Sequence, residues 1–474
     1  MKQYTAALFL ILLVGIQACV PTKEIREADT ALPATYGNQV SDTLSSASIS
    51  WTEFFAEPTL NSLIDSALKN NQELNIFLQQ VAIARNEIQA KKGEYQPFVS
   101  YLGGADLEKV GTYTRNGAVE HALPIKEGTT FPEPLSNYTG QIIARWELDV
   151  WKKLRNAKTA AVMEYLSTVE GKNFMITNLV AEIAYAYYEL IALDNQLNIL
   201  NQNLKLQRNA LSIVRLQKQA GRATELAVQR FDAEVFKNQS EIFQINQRIV
   251  EVENYLRFLI ADKSDHIPRT STSFLNRSID TLFTGIPSQL LGNRPDIKRA
   301  EYELAAAKLN VKIARASFYP SVGLRAGMGL EAFQPMFLMP SPEAFIYSIT
   351  ADLAGPLINR KAIKTAYYNA NTRQLAAIYE YEKTILNAYL EVVNGLSNLE
   401  NLRKNYEYKR KQVNTLTKSI AVSNMLFQSA RADYMEVLLT QRDALESKME
   451  LVETKKDRLL AQVDLYRALG GGWR

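Results

Sequence analysis

Apolar positions recur at spacings of three and four over much of this chain. Ile176, Val180, Ile183, Tyr187 and Leu190 form one series, and Ile385, Tyr389, Val392, Leu396 and Leu399 a second. Ile242, Ile245, Ile249, Val252, Leu256 and Leu259 form a third. This is the spacing of amphipathic helix. No proline falls between Pro134 and Pro268, or between Pro356 and the C-terminus, so nothing there breaks a helix from within. The pattern predicts one helix from about 153 to about 218, roughly 95–100 Å long at about 1.5 Å per residue. A narrow apolar stripe on so long a helix predicts coiled-coil-like packing against its neighbours.

A second pattern has period two. Over residues 138–150, Tyr138, Ile142, Ala144, Trp146, Leu148 and Val150 fall on one face. Thr139, Gln141, Arg145, Glu147 and Asp149 fall on the other. Residues 321–330 set Val322, Leu324, Ala326, Met328 and Leu330 against Ser321, Gly323, Arg325 and Gly327. Residues 344–353 set Phe345, Tyr347, Ile349 and Leu353 against Ser348, Thr350 and Asp352, and residues 98–107 repeat the alternation more weakly. These are strands. A strand as long as 138–150, tilted by about 40°, covers roughly the 25–30 Å of a membrane band. The connecting segments, about 109–136 and 331–343, carry the Pro and Gly of exposed turns.

Both patterns occur twice, in the same order. At an offset of 209, residues 154–260 align to 363–469 without a gap, pairing Ala157 with Ala366, Asn178 with Asn387, Glu182 with Glu391 and Arg222 with Arg431. At an offset of 223, residues 74–97 align to 297–320, pairing Ala82 with Ala305 and Pro97 with Pro320. Each half has a first helix (about 58–95, then 288–317), a proline, a strand hairpin and a long helical hairpin. A period this long marks a duplicated half-molecule. The first structural repeat is expected over 51–287 and the second over 288–474. The helical hairpins turn at Ala220-Gly221-Arg222-Ala223-Thr224 and Ser429-Ala430-Arg431-Ala432-Asp433. Gly221 suits the positive φ that ends a helix, and Thr224 and Asp433 suit the cap that starts the next. Both turns are therefore expected at the same far end.

The N-terminus adds a location. Lys2, the apolar run from Ala6 to Ile16 and Ala18-Cys19 have the layout of a secretory signal, expected over residues 1–18. Cys19 is the only cysteine, so no intramolecular disulfide forms. Its place at the end of the apolar run favours a lipoprotein signal, with Cys19 acylated and residues 19–50 a lipidated tether rich in Ser, Thr, Pro and Ala. Past residue 19 no run of 18 apolar residues occurs, so a membrane span must be built from strands.

The rest of the chemistry is sparse. Net charge is +4 from 54 basic and 50 acidic residues, with no basic block of the nucleic-acid-binding kind. His121 and His266 sit in no ligand-spaced cluster, and no phosphate loop ending in Gly-Lys-Ser/Thr is present. No metal, cofactor or catalytic set is expected, and the chain reads as a non-enzyme. Four strands cannot close a barrel, since about eight are the smallest bacterial number, and open edges are not tolerated in lipid. Several chains must share one barrel. Threefold symmetry with four strands per chain gives twelve.

Three stretches resemble the TolC-like outer-membrane efflux proteins, in the lipoprotein branch that serves RND pumps. They are Asn293-Arg294-Pro295-Asp296-Ile297, Trp146-Glu147-Leu148-Asp149, and Leu465-Tyr466-Arg467-Ala468-Leu469-Gly470-Gly471-Gly472-Trp473. The resemblance implies a mainly α chain with membrane β: a trimeric 12-stranded β-barrel, four strands per chain, continued by a long α-helical barrel. It implies a homotrimer in outer-membrane lipid, a periplasmic adaptor, an inner-membrane RND pump and passive export of small molecules such as drugs. By the same resemblance Gly221, Arg222, Ala430 and Arg431 form the periplasmic tip that docks the adaptor. Glu436 falls on the carboxylate ring inside that tip. Leu439 falls on a second ring position and is not acidic. Ala430, Lys152 and Asn359 stand where glycine is usual. Two alternatives stay open: a duct for type I protein secretion, and a periplasmic coiled-coil scaffold lipoprotein.

Overall fold

A computed structural model describes residues 22–37, 44–125, 127–263, 267–271, 274–277, 283–338, 342–356, 358, 360–429 and 431–474. It contains two compact units. The first holds residues 82–166 and 302–378 with residues 22–27. The second holds residues 28–81, 167–301 and 379–474. Each sequence repeat contributes to both.

The first unit is built on one antiparallel sheet. Strands β1 (Phe98–Glu108), β2 (Leu135–Glu147), β3 (Ser321–Ala332) and β4 (Phe345–Ala354) pair in the order β1-β2-β3-β4. The hairpins β1–β2 and β3–β4 come from different repeats, and the β2–β3 pairing joins them. β2 begins and ends three residues before the 138–150 span predicted from alternation. Asp149 and Lys152 take φ values of +44° and +58°, which extended backbone cannot accommodate. The segment after β1, predicted as an irregular turn, holds a helix at Arg115–Ala122. Thr114 caps it, its hydroxyl accepting from Gly117 N–H at 3.2 Å.

Helices dominate the second unit. The first helix of each repeat, predicted as continuous, is broken near its start. The helices α1 (Pro58–Asn70) and α2 (Gln72–Tyr95) flank Asn71, and Arg294 precedes α3 (Pro295–Ala316). The long hairpins are α4 (Lys153–Gln219) with α5 (Glu225–Ile260), and α6 (Lys361–Gln428) with α7 (Tyr434–Ala468). The 67 residues of α4 span about 100 Å.

Two packing regimes divide α4 within this unit. Over 183–193 most positions are buried, among them Ile183, Ala184, Tyr187, Tyr188, Leu190 and Ile191. They share one core with Phe54, Leu60 and Ile64 from the chain's start, Leu256 and Leu259 of α5, and Val452, Leu459 and Tyr466 of α7. Each fully buried large aliphatic stabilises this core by roughly 1.5–3 kcal/mol. Past it, burial narrows to Leu200, Leu204, Gln207, Leu211 and Val214, the alternate four-and-three spacing of a coiled-coil seam. The partner seam on α5 runs through Phe231, Val235 and Asn238. Gln207 and Asn238 hydrogen-bond to each other inside it. A single polar pair in an apolar seam penalises every other register.

Candidate functional site

The sheet separates its charges completely. Register places Tyr101, Ile142, Met328 and Tyr347 in one row, and Val99, Ala144, Ala326 and Ile349 in the next. No charged residue of any strand lies on this face. Asp106, Glu108, Arg145, Glu147, Arg325, Glu331 and Asp352 all lie on the other. The apolar face is open: Tyr101 is 91% exposed and Ile349 81%. A two-period sheet with one wholly uncharged, aromatic-rich and uncovered face suits lipid on that face and water on the other. Among the described residues β1 and β4 end the sheet with no partner strand, the edges that lipid does not tolerate unpaired.

Aromatic side chains mark both ends of the strands. At one end the Trp151 ring stacks on Tyr319 with centroids 4.5 Å apart. Its Nε1 donates to the Pro320 carbonyl at 2.8 Å, and Trp146 Nε1 donates to the Tyr95 carbonyl at 3.0 Å. At the other end Phe333 packs between Phe131 and Phe337. The Trp and Tyr rings, apolar bodies with a polar tip, suit the level where hydrocarbon meets water.

The junction from β2 into α4 is built by Asp149. Its buried carboxylate accepts from the N–H groups of Leu154 and Arg155, both at 2.9 Å, and pairs with the Arg155 guanidinium at 3.2 Å. That satisfies two orphan donors at the helix start and complements the helix dipole. Asp149 is therefore a helix cap. The alternation had placed it on a strand face.

At the opposite ends of the long helices, Gly221 takes φ +70°. Arg222 N–H closes back onto the Gln217 carbonyl at 2.8 Å, and Arg431 N–H onto Leu426 at 2.9 Å, the same terminal turn in each repeat. Thr224 and Asp433 cap α5 and α7, accepting from Ala227 and Tyr434 N–H. One apolar cluster holds the two turns together: Leu211, Val214, Ala227 and Phe231 with Leu438, against which Ala223 and Tyr434 pack. Gly221, Arg222, Arg431 and Glu436 are exposed, and Leu439 is 39% exposed. The Arg222 and Arg431 guanidiniums form no ion pair among the described residues. Cys19, Ala430, His266 and Asn359 lie outside those residues. Lys152, standing where glycine is usual, does adopt a positive φ.

Two of the sequence motifs turn out to be one contact. Gly470 takes φ +96°, and a Cβ there would come within 2.7 Å of the Asn293 carbonyl oxygen. Trp473 Nε1 donates to that same oxygen at 3.3 Å. The next residue, Arg294, is buried, donating to Glu391 at 2.7 Å and to Asp296 at 2.6 Å. Burial works against its charge, but the two carboxylates outweigh it and raise the guanidinium's pKa.

Sequence periodicity gave no sign of the N-terminal contacts. In the first unit Lys23 N–H donates to the Tyr367 hydroxyl at 3.2 Å. In the second, Asp29 N–H donates to Glu382 at 2.8 Å, and the Tyr36 ring stacks on Tyr389. Residues 22–37 carry no regular pattern, and their partners are far along the chain.

The sequence matches the family described as outer membrane efflux protein over residues 63–262 and 286–471. It is 26% identical to the pyoverdine export outer membrane protein OpmQ of Pseudomonas putida, across 90% of this chain and 88% of that one. It is also 26% identical to the solvent efflux pump outer membrane protein SrpC of Pseudomonas putida, across 100% and 99%. The fold superposes on the open-state MtrE outer membrane channel of Neisseria gonorrhoeae with a TM-score of 0.84 at 22% identity, covering 96% of this chain and 99% of that one. With the family matched over both repeats, this chain belongs to the outer membrane efflux protein family.

Proposed function

We propose that three copies of this chain form a passive outer-membrane exit duct for small molecules, serving a tripartite RND-type pump through a periplasmic adaptor. The observation that carries this is the one-sided sheet with two open edges. Joining β4 of one copy to β1 of the next removes both edges, and three copies give a twelve-stranded barrel with lipid outside and a charged lumen. The long helical hairpins continue the duct into the periplasm. The exposed turns at Gly221, Arg222, Ala430 and Arg431 dock the adaptor, and Glu436 and Leu439 line the gate just inside. Two repeats, 51–287 and 288–474, supply one strand hairpin and one helical hairpin each. Residues 1–18 direct export, and acylated Cys19 with the tether to residue 50 anchors the chain in the outer membrane. The duct performs no chemistry and needs no cofactor.

The test is mass and conductance. The mature protein purified in detergent should be three chains in size and should pass current in planar bilayers. A water-soluble monomer without conductance overturns the reading in favour of a scaffold lipoprotein. Cys19→Ala should abolish fatty-acid labelling, and label that persists in that variant rules out Cys19 as the anchor. Deleting the cognate RND pump should give the same drug sensitivity as deleting this duct. If protein secretion fails instead, the type I alternative holds.

A further inference from the structure

Arg145 and Arg325 are Cα partners across β2 and β3, on the charged face of the sheet. Both side chains are exposed, and neither forms an ion pair among the described residues. Like charges directly opposite on one sheet face repel each other and destabilise the pairing.

The surrounding charges decide what the pair can do. Going toward Phe345, the next two rows of this face carry no charge, and the first carboxylate on β3 is Glu331. It lies six residue steps along the strand from Arg325, about 20 Å at roughly 3.4 Å per residue. That is well beyond the screening length of about 8 Å at physiological salt. In the other direction the next row holds Glu147 and Asp352 on either side of Gly323. Glu147 pairs with Lys153 at 3.5 Å, so its charge is largely spent. Two guanidiniums thus face one unpaired carboxylate, Asp352, and the row is locally cationic.

We infer that this row is an anion-binding belt inside the duct. The inference rests on the trimeric barrel proposed above, where three chains contribute two arginines each at one height. Six guanidiniums around a water-filled lumen would engage a compact solute carrying two or more negative charges. Each offers paired N–H donors matched to carboxylate or phosphate oxygens. The other charged strand positions on this face, Asp106, Glu108, Glu147, Glu331 and Asp352, are acidic, so the belt is a local binding step for polyanions on their way out. It does not give the duct an overall preference for anions.

The test is block of single-channel current by tripolyphosphate, added to each side of the bilayer in turn. The wild-type duct should show voltage-dependent block. R145Q/R325Q should need about tenfold more tripolyphosphate for half-block, since the charge-assisted bonds are lost. R145K/R325K, which keeps the charge, should retain most of the block. Mass in detergent confirms that each variant is still a trimer. Equal block in wild type and R145Q/R325Q overturns the belt while leaving the duct intact. A wild-type protein that passes no current overturns the duct, and the belt with it.

Discussion

Arg294 donates from Nη1 to the carbonyl oxygen of Ala468 at 2.9 Å, joining the last turn of α7 to the first turn of α3. The first repeat makes the equivalent contact, Asn71 Nδ2 to the Leu259 carbonyl at 2.8 Å. Asn71 stands 223 residues before Arg294, and Leu259 stands 209 before Ala468, the two offsets of the duplication. In each repeat a buried polar side chain thus takes a carbonyl left unpaired at one helix end and ties it to the start of another helix. Asn71 completes the link by accepting from Leu74 N–H at 2.9 Å. Arg294 completes it through Asp296, whose carboxylate accepts from Ile297 N–H at 3.0 Å.

The two links should differ in strength. Arg294→Ala empties a buried site and leaves Asp296 and the half-exposed Glu391 without their partner, which costs roughly 3 kcal/mol, the low end for a buried pair because water reaches both carboxylates. Asn71→Ala strands neutral groups and costs roughly 1–3 kcal/mol. Urea unfolding of the purified protein measures both. Equal losses would mean that the ion pairs around Arg294 contribute nothing.

Gly470 has no tolerance for a side chain. Its φ of +96° and the 2.7 Å approach to Asn293 put strain and a backbone clash on any Cβ. Gly470→Ala is expected to lower stability by more than about 1 kcal/mol, seen as a lower melting temperature. An unchanged melting temperature would show that the C-terminal turn does not hold Asn293.

Lys152 runs the other way. It sits at φ +58°, a conformation that costs an L-residue roughly 1 kcal/mol and glycine almost nothing. Its N–H donates to the Asp149 carbonyl at 3.1 Å, a bond that glycine keeps. Lys152→Gly should raise stability by about 0.5–1 kcal/mol. A fall in melting temperature would show that the lysine side chain contributes more than its backbone costs.

Burial, with help from Arg458, pushes the Lys455 ammonium down to about 8 from an ordinary value of 10.5. Its Nζ donates to the Arg277 carbonyl and lies 5.5 Å from the Tyr406 ring centre. No carboxylate pairs with it among the described residues. Below pH 8 the folded and unfolded states both hold the proton, and the burial penalty is constant. Between about 8 and 10.5 the unfolded chain binds more proton than the folded one, so stability should rise with pH. Burial raises the phenols of Tyr36, Tyr185, Tyr187, Tyr188 and Tyr466, which reverses the slope once unfolded tyrosine ionises near pH 10. Denaturation midpoints from pH 8 to 9.5 should therefore climb in the wild type and stay flatter in Lys455→Gln. Parallel curves would remove Lys455 as the cause.

Local pattern was enough for the long helices, the strand faces and the turn at Gly221, because each rests on residues within a few positions of one another. Periodicity of 3.6 or 2 fixes which face is apolar whatever it later packs against. The break at Asn71 was not legible, while the one at Arg294 is marked by Pro295, a signal that the apolar spacing across it masks. Asparagine does not stop a helix by itself, and Asn71 does so by reaching a carbonyl on another helix, whereas Arg294 is held extended by the proline that follows it. Asp149 was misassigned for a related reason: alternation continues through it, while its carboxylate is held by the helix that follows.

The sequence alone determined that the chain is a duplicated set of strands and very long helices, since that information is carried by spacing along the chain. Only the tertiary structure decided which residues meet across it. Register placed Arg145 beside Arg325 and gathered every charge of the sheet on one face. Packing turned the Asn293–Arg294 motif and the C-terminal glycines into a single contact. Such meetings depend on where distant segments dock, and no local period records that.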